Sequence, residues 1–437
     1  MMTLIDQLLI TIYMPLLNLH CGLNTGKLLR ELRQSERFSR LELDHLQLLK
    51  LKQLLEYVVC SVPYYQNKPY YSVPLTRSVR EILAELPILT RAEIKKAGTS
   101  IFNVQSKRIQ KSRTGGTTGD PLEVWKDKKV ISIVEAALWR GKAWIGIKPW
   151  HKAISIQGFG KGSWYGRLRM RLLQKWLVQA FQLKQEDRIK LYGRICYICP
   201  KMVEGYVTDL LSLSEGQDIS YARVQAVLTT GEMLYPEQRK SLETAFNAPV
   251  FSYYGSNEIG ALAFECEHGA MHITDEHVIM EVVNEKGVAV WDEPGRLLVT
   301  DLDNYAMPLI RYEIGDIGIL SREICPCGRS LLVLKELLGR QQDALRNEAG
   351  DKLSATFFAG HFRGIEHIQR IQLFQHDVRN IEILYEGNEQ RAAKELSAVT
   401  KEIHDRLGRQ MEVKITRVEQ IPLTGRGKKL LIRGLKS

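Results

Sequence analysis

The sequence predicts an α/β fold: a large multi-sheet N-terminal domain followed by a small, mobile α+β domain at the C-terminus. Three observations predict it. Helical and strand-like patterns alternate over much of the chain, as layered α/β proteins require. The 437 residues are 44% hydrophobic and 25% charged, enough apolar material for a large core spread over two or three domains. A break falls near Leu338-Gly339-Arg340-Gln341-Gln342-Asp343, and a separate strand–strand–helix–strand unit follows it. The expected division is a helical segment over 1–60, a main domain over 61–338 and a small domain over 339–437.

The elements follow in order. Residues 25–60 place apolar side chains three or four apart and read as helices, broken by Pro63-Tyr64-Tyr65. Thr90 with Glu93 three residues on is a capping box that starts another helix. Residues 130–145 and 165–182 are also helical in pattern. From 222 to 320, β-branched runs alternate with turns: Val224–Thr229, Val250–Tyr254, Val278–Val283, Arg296–Thr300 and Ile317–Leu320. In the small domain, Ile368–Gln375, Asn380–Glu386, a helix at 389–407 and a strand at 411–418 precede a Gly-rich basic loop, Pro422–Lys429.

Composition excludes a disordered, collagen-like or disulfide-stapled chain. Lys and Arg number 61 against 50 Asp and Glu, a net charge of +11, which favours anionic partners such as phosphate-bearing cofactors. The excess is spread along the chain, which argues against a nucleic-acid partner. The seven cysteines are odd in number and include one C-x-C, so a reducing, cytoplasmic setting with at most a metal site is expected. The apolar run Leu8–Leu19 is too short to span a bilayer and carries Pro15; no Lys or Arg precedes it, so it lacks the start of a signal peptide. It reads as a docking helix, or else as a membrane-surface helix backed by Lys27, Arg30 and Arg33. Oligomeric state is not legible.

The densest chemical signal is Ser112-Arg113-Thr114-Gly115-Gly116-Thr117-Thr118-Gly119-Asp120-Pro121. Glycines let the backbone approach a ligand, successive N–H groups form an anion nest, and hydroxyls add donors for phosphate oxygens. No Gly-Lys-Ser/Thr follows at the required spacing, so it is not a Walker A loop. A second constellation is Cys266, His268 and His272 with Cys325 and Cys327, a donor set suited to a structural Zn²⁺ or, alternatively, buried thiols with a surface histidine. His272 is chosen over His268.

The Ser112–Gly119 run resembles the phosphate loop of adenylate-forming enzymes, which holds the ATP phosphates. Other segments are similar to that superfamily's motifs in the same order. Thr229-Thr230-Gly231-Glu232 resembles the segment beside adenine, and Tyr253-Tyr254-Gly255-Ser256-Asn257-Glu258 resembles the motif whose aromatic lies near adenine, whose hydroxyl meets phosphate and whose glutamate holds Mg²⁺. Arg311-Tyr312-Glu313-Ile314-Gly315-Asp316 resembles the motif whose Asp binds ribose, and Gly339-Arg340 the hinge whose Arg contacts ribose or phosphate. Pro422–Lys428 resembles the loop that carries the catalytic lysine, Lys428 with Lys429 as its nearest alternative. Within the superfamily the similarity is to the phenylacetate–coenzyme A ligase branch, which includes capsular-polysaccharide-biosynthesis proteins and coenzyme-adenylating synthetases. It rests on Val62-Pro63-Tyr64-Tyr65, Leu86-Pro87-Ile88-Leu89-Thr90, Cys266 and Cys325-Pro326-Cys327-Gly328, and covers the chain from about residue 55.

The resemblance implies an adenylation domain with a mobile lid turning about 341–345. It implies an ATP- and Mg²⁺-dependent ligase that converts a carboxylic acid to an acyl-AMP and passes it to coenzyme A. Lys428, Glu258 and Arg340 would be catalytic. Ser112, Thr114, Gly115, Gly116, Thr117, Thr118, Gly119, Gly231, Glu232, Tyr253, Tyr254, Gly255, Ser256, Arg311 and Asp316 would bind nucleotide. The acid would lie against Gln157, Gly158, Phe159 and Tyr206, whose rings suit an aromatic or apolar acid, while Gln157-Gly158 in place of the branch's Tyr-Gly argues against phenylacetate itself. Cys266, His272, Cys325 and Cys327 would hold zinc, as in relatives. The alternatives are adenylyl transfer to a hydroxyl, or a non-catalytic role in polysaccharide assembly at a membrane surface.

Overall fold

The computed structural model describes residues 24–66, 68, 76–103, 109–113, 122–156, 174–178, 185–214, 219–340, 344–349, 352–354, 368–419, 421 and 432–435. They fall into two compact units: the described residues up to Ile314, with Ile319–Lys335, form the larger, and Gly315–Gly318 with the described residues from Glu336 onward form the smaller.

The larger unit is organised by parallel pairing. Strands Lys175–Val178, Ala153–Ile156, Met202–Gly205, Ala226–Thr230 and Val250–Ser256 lie side by side and parallel, in that order. Buried on both faces, such strands read as continuous apolar runs, and all five residues of Ala226–Thr230 are buried. Alternate side chains serve opposite faces. Ile154, Val203, Val227 and Val250 pack against Leu191, Ile195, Leu210 and Phe246 of the helices Gln185–Ile198, Val207–Ser214 and Pro236–Phe246. On the other face Ala153, Met202 and Leu228 meet Trp144 of the helix Lys128–Trp144 and Phe264. Beyond Val250–Ser256 the sheet turns antiparallel through Gly260–Glu265 and Met271–Ile273. It continues through Val333–Arg340, Tyr312–Ser321, Gly295–Asp301 and Val278–Val283, eleven strands among the described residues.

The N-terminal helices form as their sequence requires. Ser39 and Glu42 make a reciprocal capping box that starts Arg40–Ser61, and Leu43, Gln47, Leu51, Leu54 and Val58 bury one face of it. Thr90 and Glu93 start Arg91–Ala97 in the same way. Charged bolts reach the segment Asp275–His277 from two helices: Arg40 of Arg40–Ser61 to Asp275 at 2.5 Å, and Arg140 of Lys128–Trp144 to Glu276 at 2.5 Å.

One expectation fails. The span 165–182 reads as helical, but Lys175–Val178 is a strand paired in parallel with Ala153–Ile156. Four residues with Trp176 and Val178 are too few to hold a helix against pairing with an open sheet edge. The rest of that span lies outside the described residues, except Gln174.

In the smaller unit Ile368–Gln375 and Asn380–Gly387 pair antiparallel, and the helix Glu389–Leu407 crosses over to the parallel strand Glu412–Arg417. Asn388 caps the helix, and Ala392, Leu396, Val399, Ile403 and Leu407 form its buried stripe over Leu373, Ile381 and Ile383. No helix among the described residues is long and apolar enough to cross a membrane. The run Leu8–Leu19 lies outside them.

Candidate functional site

Ligands bind parallel α/β sheets at the C-terminal ends of the strands. Four adjacent parallel strands end at Ile156, Gly205, Thr230 and Ser256. The described residues that follow them are Tyr206, Gly231-Glu232 and Asn257-Glu258, so sequence positions far apart arrive at one edge of one sheet. Gln157, Gly158 and Phe159 themselves lie outside the described residues.

Tyr206 packs its ring over Gly231. Gly231 has φ +73°, and a Cβ there would stand 2.6 Å from Tyr206 Cε1, so both the turn and the ring exclude a side chain. Glu232 accepts from Thr208 N at 2.8 Å and from Thr208 Oγ1 at 3.0 Å, which caps the helix that Tyr206 precedes. Tyr253 lies parallel to Phe264, with ring centroids 6.1 Å apart, and burial pushes its hydroxyl pKa up. Tyr254 is buried. On the Tyr253 face Lys142 donates to Glu204 at 2.7 Å; despite burial, the lysine charge holds Glu204 down at about 2.

The turn after Tyr254 is tightly built. A bulge falls between Tyr254 and Gly255, where a Cβ would sit 2.7 Å from Gly260 O. Ser256 Oγ accepts from Ile259 N at 3.1 Å. Asn257 Nδ2 donates to Arg113 O at 3.0 Å, tying this turn to the strand Gln110–Arg113, which holds Ser112 and pairs antiparallel with Glu123–Lys126. Arg113 faces Glu123 across that pair, so the glycine–threonine segment is the connection at its end. Thr114, Gly115, Gly116, Thr117, Thr118 and Gly119 lie outside the described residues. Glu258, largely buried, stands 3.5 Å from Arg91, the first residue of the helix capped by Thr90.

In the smaller unit, Arg340 Nε and Asp316 Oδ1 lie 3.5 Å apart, so the hinge cation and the candidate ribose ligand come together. Lys428 lies outside the described residues.

Arg311 corrects the expectation of a nucleotide contact. Its guanidinium is buried, pairs with both Glu281 oxygens at 3.1 Å and donates to Leu86 O at 2.7 Å. It bolts the strand Val278–Val283 to the loop before Thr90 and has no face left for a ligand. Arg311→Ala leaves Glu281 buried without its partner, so it should destabilise the protein by about 3–5 kcal/mol in a urea titration. A loss under ~1 kcal/mol would contradict this role.

Several residues escaped the sequence. Arg91 could have been found, since it follows the Thr90 cap. Asn257 sits inside the recognised motif. Lys142 and Glu204 give no local signal, because their pairing joins a helix to a strand 62 positions away.

The Cys–His cluster is the most complete constellation. Cys266, His272, Cys325 and Cys327 bring their ligand atoms within 4.8 Å of one another. The turn at Cys266–Ala270 and the turn at Cys325–Gly328 supply the thiols, and His272 enters from the strand Met271–Ile273. Cys266 and Cys325 Sγ are 3.8 Å apart, the edge of a tetrahedron with bonds of about 2.3 Å. His272 Nδ1 faces Leu331 O at 3.2 Å, so Nδ1 carries the proton and Nε2 is free, 3.1 Å from Cys327 Sγ. His268 contributes only its backbone N–H, to Cys266 Sγ at 3.4 Å. Burial pushes the Cys325 thiol up to about 12 and His272 down to about 4. Three thiols and a neutral imidazole fit Zn²⁺, whose charge would reverse that preference for neutral sulfur.

Residues 345–434 match the CapK C-terminal domain family. The chain is 24% identical to Protein CapK of Staphylococcus aureus over 360 residues, covering 79% of this chain and 78% of that protein. It is 25% identical to a phenylacetate-coenzyme A ligase of Thermus thermophilus over 337 residues, covering 71% and 73%. Among solved structures, 2-hydroxyisobutyryl-CoA ligase in the postadenylation state, in complex with 2-HIB-AMP, superposes with a TM-score of 0.73 at 16% identity, covering 92% of this chain and 91% of that one. This likeness extends the shared fold across both units. By these comparisons residues 345–434 match the CapK C-terminal domain, most of the chain is similar to CapK and to phenylacetate–coenzyme A ligases, and the fold is that of the adenylate-forming CoA ligases.

Proposed function

We propose that this protein activates a carboxylic acid with ATP and Mg²⁺ and transfers the acyl group to coenzyme A. The observation that carries the reading is the convergence of Tyr206, Gly231-Glu232 and Asn257-Glu258 on the C-terminal edge of adjacent parallel strands. In the first step a carboxylate oxygen bonds to the α-phosphorus of ATP, and the bond to pyrophosphate breaks. In the second a thiol attacks the acyl carbon and AMP leaves. Both partners in the first step are anions, so positioning and charge neutralisation matter more than proton transfer.

The residues divide the work. The hydroxyls and N–H groups of Ser112 and Thr114–Gly119 cradle the departing pyrophosphate. Glu258 offers the oxygen ligand for Mg²⁺, which supplies charge neutralisation on phosphate oxygens. Asp316 takes the ribose hydroxyls, and Arg340, beside it, ribose or phosphate. Lys428 spans carboxylate and α-phosphate. The adenine lies by Gly231 and Tyr254. The acid lies by Gln157, Gly158, Phe159 and Tyr206, and an aromatic or apolar acid suits those rings. Cys266, His272, Cys325 and Cys327 hold a structural Zn²⁺ that pins the turn at 266–270 to the loop at 325–331.

A pyrophosphate-release screen over aromatic, fatty, hydroxy- and sugar-linked acids tests the reading and names the acid. Release driven by an alcohol alone, with AMP retained on the product, would replace it with adenylyl transfer.

Arg91 gives a finer test. Its guanidinium competes with a divalent cation for Glu258 across a partly exposed 3.5 Å ion pair. Such pairs contribute up to about 1 kcal/mol, so Arg91→Ala should lower the Mg²⁺ concentration for half-maximal activity by roughly two- to fivefold. An unchanged or higher Mg²⁺ requirement would remove Arg91 from the site.

A further inference from the structure

Residues of the strand Val278–Val283, of the helices Arg40–Ser61 and Val79–Glu85 and of the segment 321–332 line a half-open groove of about 1220 Å³, none of them assigned to the reaction. Its walls include Leu48, Val79, Ile279 and Met280, all buried. At its rim Leu41 and Ile324 are 79% and 88% exposed, apolar side chains facing water with nothing over them among the described residues.

One end of this apolar space is cationic. Arg80 lies over the Trp291 ring at 3.9 Å and Arg322 at 4.3 Å, so two guanidiniums share one indole. They repel each other, and burial holds Arg80 down at about 10. Neither has a carboxylate hydrogen-bond partner among the described residues. The neighbouring acids are committed elsewhere, Glu281 to Arg311, and Asp275 and Asp44 to Arg40. Arg80 Nη1 is buried with no acceptor among the described residues. A buried, unsatisfied donor on a like-charged pair is costly unless an anion completes it.

We propose that this groove binds a phosphate-headed amphiphile, its head between Arg80 and Arg322 and its hydrocarbon tail along Val79, Ile279 and Met280. A dianionic head matches two guanidiniums, whose N–H groups donate to phosphate oxygens in a planar, bidentate manner. The volume exceeds what a head group alone would fill, since pockets for drug-sized ligands span roughly 300–1,000 Å³. The exposed Leu41 and Ile324 suit a mouth through which a lipid enters from a surface.

The test is calorimetric titration of the full chain with dodecyl phosphate below its critical micelle concentration, alongside inorganic phosphate and the neutral dodecyl maltoside. Dodecyl phosphate should bind at one site and change Trp291 fluorescence, a change absent in Trp291→Phe. Inorganic phosphate and dodecyl maltoside should each bind at least tenfold more weakly. Arg80→Gln with Arg322→Gln should weaken dodecyl phosphate at least tenfold. Leu41→Glu, a change at an exposed position that the fold tolerates, should weaken it severalfold. Equal binding of inorganic phosphate would mean an anion site without a tail channel. Equal binding of the maltoside would mean a non-specific apolar groove. No saturable binding, or binding untouched by the arginine and Leu41 variants, would likewise overturn the proposal.

Discussion

Lys428→Ala should lower acid-dependent pyrophosphate release by more than tenfold, with ATP binding largely kept. The reason is electrostatic. The transition state brings a carboxylate against a phosphorus already surrounded by anionic oxygens, and one ammonium bridging both is worth more there than in the ground state. Tenfold corresponds to only ~1.4 kcal/mol of barrier, a modest demand for a charge placed between two anions. In the sequence, Gly425 and Gly427 stand just before the lysine, residues that leave the backbone free to adapt. Single-turnover rates measured on Lys428→Ala and Lys429→Ala separate the two candidates. A loss under tenfold for Lys428, or a larger loss for Lys429, would move the assignment.

Loss of the cysteine–histidine cluster should cost stability on the same scale as loss of Arg311. Protein purified without chelator should carry about one equivalent of zinc by plasma emission. Structural zinc in small domains contributes on the order of 10 kcal/mol of apparent binding energy. Even a fraction of that dwarfs a buried thiol, whose replacement in a plain core costs about 1 kcal/mol. Cys325→Ala should therefore lower the melting temperature by roughly 6–12 °C, taking about 3 kcal/mol at 2–4 °C per kcal/mol for a large domain. Less than a tenth of an equivalent of zinc, together with a melting temperature that chelator leaves unchanged, would return the cluster to buried thiols.

Much of the architecture was legible because local rules and tertiary packing agree. Thr90 and Glu93 cap a helix in the sequence and in the structure. The Ala392, Leu396, Val399, Ile403 stripe is periodic in the chain and buried in the fold. The strand Lys175–Val178 was missed because it exists only through pairing with Ala153–Ile156, which no four-residue pattern reveals. Arg311 shows the opposite failure. Its place in a nucleotide-site motif suggested a ligand contact, but its partner Glu281 lies 30 positions back and claims the guanidinium. Cys266 and Cys325 are 59 positions apart, so the chain offered the donors but not the 3.8 Å that makes them neighbours. Asn257 and Arg91 organise the Glu258 turn through contacts that likewise exist only in three dimensions.

The account rests on the formation of an acyl-adenylate at the edge shared by Tyr206, Gly231 and Glu258. Exchange of labelled pyrophosphate into ATP reports that step alone, before any acceptor is involved. With Mg²⁺ and a suitable carboxylic acid present, label should enter ATP, and leaving out either the acid or Mg²⁺ should abolish it. Protein that binds ATP in a calorimeter but exchanges no label with any acid of a broad panel would contradict the account.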